Sequence, residues 1–349
     1  MTELNTLSLS LILSLSLVAC GGGGSDSTTV ATNPGATYVP GAAELGAWNV
    51  LQGARTLCGF GALTRNAKLD EAALAHAIYQ VNKSFPSITA VLSHYESDDS
   101  KLPDLVPDAS NIDYTGLYPW DRTTVTGYGN QVAEILMGTR WDYVNPPTFP
   151  TMEQRGTESM RSLLNTVYHL AGAMYYGADV GFGAYIDTKM INATWREEYR
   201  FGSLNGYQTT TIKLGTGNLA TYPCKDSSNI PPKFEPAKEA PNPFEMTDYV
   251  SAIVGPPVYL KVDAGQILTV TSVNVSQNDV SVPTTVLTNA NDPNIDMYGK
   301  KYIGLNEAFV VPLVALIPNT TYTVSLAGTI SDVSVSRSFN RSFTMSTGQ

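Results

Sequence analysis

The spacing of apolar residues changes once along this chain, and that change constrains the fold more than any single motif. Up to about Met174 apolar side chains recur at i, i+3 and i+4; beyond it they alternate or fall in short runs broken by Gly, Pro, Asn and Asp. Gly41 to Leu57 places Leu45, Trp48, Leu51 and Ala54 on one helical face, and Gly59-Phe60-Gly61 ends the pattern. Leu69 to Val81 repeats it with Ala72, Ala73, Ala75 and Ala77, small enough for close helix packing. A short helix is expected over Gln131 to Met137 and a long one over Met152 to Met174. Val180 to Tyr185, Asn192 to Tyr199 and Thr209 to Lys213 read as short strands. Residues 93–127, rich in Asp, Pro, Tyr and Gly, form a long loop, and loops of that length in compact domains usually carry function.

Residues 225–243 are dense in Pro, Lys and Glu and read as an interdomain linker. After them Val258 to Val262, Ile267 to Val273, Thr284 to Leu287, Ala308 to Val311, Tyr322 to Leu326 and Val333 to Met345 alternate or run apolar between turn signals, as in a small antiparallel β-sandwich. The pattern thus predicts an α+β domain over 41–224 followed by an all-β module over 244–349. An apolar content of 43% with only 15% charged residues suits a folded chain. The net charge of −10, without a Lys/Arg cluster, excludes a nucleic-acid partner. No Gly-x-Ser-x-Gly, His-Glu-x-x-His or phosphate-cradling Gly loop is present, so hydrolysis here would have to be metal-assisted.

The apolar run Leu7 to Ala19 is too short for a permanent span, which needs about 20 residues. It ends Leu17-Val18-Ala19-Cys20 before Gly21-Gly22-Gly23-Gly24-Ser25, and resembles a bacterial lipoprotein signal. That resemblance implies removal of residues 1–20, lipidation of Cys20, a flexible tether over 21–40, and a lipid-anchored location in the cell envelope facing the periplasm or exterior. An exported chain with two further cysteines, Cys58 and Cys224, has one possible intramolecular bridge.

Ser93-His94, Tyr114 to Arg122 with Gly116, Pro119 and Arg122, Gly127-Tyr128 and Val132-Ala133-Glu134-Ile135 follow one another in an order that resembles the CAP superfamily, in its bacterial SCP-like branch. Leu69 to Ala73 with His76 match that family's early helix, and Tyr168-His169-Leu170 followed by Val180-Gly181-Phe182-Gly183 match its later motif, with Leu170 where Arg or Tyr is usual. The resemblance covers about residues 42–200 and implies a CAP-type α-β-α sandwich. In the last module Leu316 to Val324 looks like a fibronectin III or immunoglobulin-like signature.

Carried over by position, the family's cleft would gather His94, Glu134 and His169 with a second carboxylate, Glu153 or Glu158, of which Glu158 is preferred. Two neutral imidazoles, His94 and His169, can share Zn²⁺ or another divalent metal; without it the same groups form a polar cleft floor. His76 is assigned to packing and Arg122 to locking its loop. The expected function is a membrane-anchored binding module for a small amphiphile, an envelope component or a partner protein; the alternative is a zinc-dependent hydrolase of peptides or esters.

Overall fold

The computed structural model describes residues 38–87, 91–99, 105–245 and 247–349. The signal segment, Cys20 and nearly all of the expected tether lie outside the described residues. Tyr38 already belongs to the core: it is buried, donates its hydroxyl to Asp70 at 2.7 Å and packs on Trp48 and Phe182.

The first half runs α1 (Ala43–Leu57), β1 (Thr64–Arg65), α2 (Ala67–Ser84), β2 (Ser97–Asp99), β3 (Val106–Pro107), α3 (Pro119–Val125), β4 (Val132–Tyr143), α4 (Met152–Leu163), α5 (Tyr168–Ala173), β5 (Gly177–Ile191) and β6 (Thr194–Thr211). Its main sheet has the order β1-β5-β6-β4, with β6 antiparallel to both β5 and β4 and β1 parallel to β5. Helix α2 lies close on β5, where a Cβ on Gly183 would come within 2.1 Å of the Leu74 backbone. Helices α1 and α4 approach each other as closely, since a Cβ on Gly156 would sit 1.8 Å from the Ala43 carbonyl.

The second half contains β7 (Ala220–Tyr222), β8 (Ser227–Ile230), β9 (Val258–Lys261), β10 (Ile267–Gln277), β11 (Val280–Val282), β12 (Thr284–Thr288), β13 (Glu307–Pro312), β14 (Thr321–Ser331) and β15 (Ser336–Thr347). They form two sheets, β11-β10-β14-β15-β8 and β12-β13-β9-β7, with Val258, Leu260, Val275, Val310, Val324 and Leu326 between them. The residues of β9 and β13 are buried without alternation. One face meets the other sheet, and the opposite face, through Tyr259, Phe309 and Val311, joins a core shared with Phe60, Leu163 and Leu170 of the first half.

The expected α+β class, with a CAP-type α-β-α sandwich, is overturned. Strands hold 38% of the described residues and helix 20%, and multi-stranded sheets dominate, so the fold is β-rich. Three local differences produce this. The expected helix Gln131 to Met137 is instead the start of β4, which pairs with β6 along its whole length; Ile135 and Leu136 are both buried, so β alternation is lost. The short runs expected after Val180 are two long strands of 15 and 18 residues joined as a hairpin. The long helix expected over Met152 to Met174 is broken between Leu163 and Tyr168 into α4 and α5.

Residues 225–243, expected as a linker, are integrated: β8 pairs in parallel with β15, and Glu239 is buried beneath α5. Among the described residues no helix is long and apolar enough to cross a membrane. Cys58 and Cys224 form a disulfide that ties the end of α1 to the segment entering β8 across 166 residues. Closing so long a loop limits the unfolded chain, so Cys58→Ser with Cys224→Ser is expected to cost about 3–5 kcal/mol. Urea unfolding of the oxidised wild type against the double variant checks this; equal midpoints would contradict it.

Candidate functional site

A cleft of about 1040 Å³ opens between β4, the α4–α5 junction and the segment around Pro231 to Ala240, with the C-terminal Gly348 and Gln349 at its edge. His94 and His169 both line it. Each imidazole is held from behind by a carboxylate: His94 Nδ1 lies 2.9 Å from Glu134 Oε2, and His169 Nδ1 lies 3.1 Å from Glu239 Oε1. The two carboxylates are buried, whereas the His94 side chain is 38% exposed and that of His169 16%. Among the described residues neither Nε2 has a hydrogen-bond partner. With Nδ1–H donated to a carboxylate, each ring presents a lone pair at Nε2.

The His94 side is a buried polar network. Glu134 projects from β4, and its Oε1 accepts from Arg122 Nη2 at 2.7 Å. Arg122 comes from α3, a helix begun by Pro119 and a reciprocal Tyr118–Asp121 cap, and it also donates to the carbonyl of His94 at 3.2 Å. Arg122 thus locks its loop, and the same contacts make it the group that fixes both His94 and Glu134. Beneath lies Glu96, fully buried, accepting from the backbone N–H of Thr115 at 2.5 Å and of Gly116 at 3.1 Å. His76, assigned to packing from its apolar setting, sits 3.0 Å from Glu96 Oε1 and 2.8 Å from the Ser93 carbonyl. Both neighbours are acceptors, so the ring satisfies both only when doubly protonated. Burial and the Arg122 charge push its pKa down against this.

The His169 side is built differently. Glu239 accepts from the backbone N–H of Val167 at 2.9 Å, Tyr168 at 2.7 Å and His169 at 3.2 Å, capping α5 from outside the helix. This cap accounts for the break between α4 and α5. Tyr168 in turn donates to Asp292 Oδ1 at 2.6 Å, fastening α5 to the sandwich.

Of the two sequence candidates for the second carboxylate, neither touches an imidazole. Glu158 lines the cleft but is exposed and pairs with Arg161 at 3.4 Å; Glu153 accepts from the N–H of Gly41 at 3.2 Å. The group they were expected to supply is Glu239. Nothing local marked it, because it lies seventy residues beyond His169 in the Pro/Lys/Glu-dense stretch. Asn165 was also missed: it lines the cleft, donates to the Lys233 carbonyl at 2.7 Å, and its Oδ1 is buried without a partner.

A catalytic zinc ion takes three protein ligands and an open position. Here two imidazoles face the cleft with their carboxylates turned to the opposite ring nitrogen, and among the described residues no group of three His, Cys, Asp or Glu is gathered for a metal. The donor set falls short of that pattern, and no catalytic step follows from it. No protein-family model, curated protein or solved structure matches this chain.

Burial alone would raise the Glu134 pKa, but the Arg122 charge first, with the nearby His76 and the hydrogen bond from His94, outweighs it and holds the carboxyl down at about 2, against an ordinary 4.5. Because the folded value is depressed, the stabilisation is complete above pH 4.5 and is lost as pH falls toward 2. Such a shift corresponds to about 3 kcal/mol. The stability difference between wild type and Glu134→Gln, measured by urea unfolding at pH 6, 4 and 3, is expected to shrink steadily; a constant difference would contradict the assignment.

Proposed function

We propose that the chain is an extracytoplasmic, lipid-anchored binding module whose cleft takes a small amphiphile bearing a hydroxyl head group. The observation that carries this reading is the pair of carboxylate-held imidazoles, both offering Nε2 to one cleft. An Nε2 lone pair accepts from a hydroxyl. Exposed Leu92 and the edges of buried Leu136, Leu163 and Phe234 also line the cleft, giving apolar contact for a hydrocarbon portion. The Leu17-Val18-Ala19-Cys20 segment supports export and anchoring. The second half contributes to the site in this reading, since Phe234 and Glu239 belong to it.

Native mass spectrometry of the full chain with 1-monolauroylglycerol tests this. A one-to-one complex is expected, and His94→Ala and His169→Ala should each weaken it about tenfold, or roughly 1.4 kcal/mol. A wild type that forms no complex, or two correctly folded variants that bind as it does, would sink the reading.

A further inference from the structure

Strands β4, β5 and β6 run out together at one end of the main sheet, where Tyr143, Trp195 and Met190 stand in register across the three strands. Trp141 precedes Tyr143 by two positions on β4 and so shares its face. The alternate residues Asp142, Arg196 and Lys189 project from the opposite face, where Arg196 pairs with Asp142 at 2.8 Å and Lys189 lies over the Phe85 ring. One face of this sheet end is therefore aromatic and the other charged.

The aromatic face is open to solvent. Trp141 is 44% exposed, Trp195 37%, Met190 59% and Val144, just after β4, 70%. Phe149 braces the group, its ring centroid 5.8 Å from that of Trp141 and 5.3 Å from that of Tyr143. Apolar side chains scattered singly over a surface are ordinary, whereas two indoles, a methionine and a valine gathered at one edge mark a surface that meets something. Trp and Tyr have an apolar body and a polar tip, which suits them to the boundary between water and hydrocarbon.

The described chain enters the fold beside this edge. The Gly41 N–H donates to Glu153 at 3.2 Å, in the first turn of α4, and the N-cap of that helix, Thr151, lies two residues beyond Phe149. Only residues 21–37 separate Cys20 from Tyr38, and a stretch of that length reaches at most about 60 Å. An anchor at Cys20 would hold this edge near a bilayer at high effective concentration, so a patch too small to bind lipid unaided suffices.

We infer that this sheet end docks on the bilayer that holds the Cys20 anchor, seating Trp141, Val144, Met190 and Trp195 at the level of the head groups and upper acyl chains; the inference rests on the lipid-anchored reading above. Strand β4 also supplies Leu136, Met137 and Gly138 to the cleft, and Gly138 is five residues from Tyr143, about 17 Å along the strand. Docking thus brings the cleft close to the membrane from which an amphiphile would come.

The test uses the full chain purified from the membranes of a bacterial host and reconstituted on vesicles of palmitoyl-oleoyl phosphatidylcholine, with or without a dibrominated phosphatidylcholine that quenches indoles touching acyl chains. Emission from Trp141 and Trp195 is the difference between wild type and a Trp141→Gln, Trp195→Gln variant, which keeps the half-buried Trp48 and Trp120. On brominated vesicles that emission should fall by about half or more. Met190→Asp, which places a charge in the same face and leaves both indoles, should abolish the quenching. A wild type that floats with the vesicles yet keeps its full emission, or quenching that survives Met190→Asp unchanged, overturns the inference and leaves the anchor standing. A chain that carries no acyl mass and does not float overturns the lipid-anchored reading, and this inference with it.

Discussion

The arrangement of the cleft depends on one carboxylate. Glu239 neutralises three backbone N–H groups at the start of α5 and takes the Nδ1 of His169, so a single side chain sets the break in the helix and the direction of the ring. A helix of six residues has little stability of its own and needs such a partner. On the opposite wall Glu134 holds His94 while Arg122 holds Glu134. Two unrelated stretches of chain therefore reach the same local solution, an imidazole aimed by a buried acid.

That solution needs a rigid surround, and the sheet β12-β13-β9-β7 provides it. Its central strands β9 and β13, buried on both faces, are core to the sandwich on one side and to the helical half on the other. Phe60, Tyr259 and Phe309 stack through this layer, with centroids 5.9 and 4.7 Å apart. Arg55 is fully buried beside it and is satisfied by the carbonyls of Phe60, Gly61, Ala173 and Tyr175. An uncompensated charge there would be costly, so these carbonyls fix the junction between α1 and the end of α5. The described chain from Tyr38 onward belongs to one compact unit, in keeping with this shared core.

What the sequence made legible follows from how local each signal is. Helices α1 and α2 and the strands β9, β10 and β12 to β15 carry their pattern within a dozen residues, and their positions were readable. Strand β4 was not, because Val132 to Met137 places apolar groups on both faces and so imitates helical spacing. The α4–α5 break was hidden as well, since its cause lies in Glu239, far along the chain. His94 and Glu134 could be paired only through the order of motifs, as no physical rule links residues forty positions apart. Cys58 and Cys224 were paired by counting, the strongest inference available when only two partners remain.

Both imidazoles are held at Nδ1, which turns Nε2 toward a common cleft. Long-range ¹H–¹⁵N correlation spectra of the histidine side chains at pH 8, with and without 1-monolauroylglycerol, report tautomer and ligand contact together. For His94 and His169 the account predicts Nδ1–H tautomers whose Nε2 resonances both move on addition of the lipid. An Nε2–H tautomer at either residue, or a response confined to one ring, would contradict it.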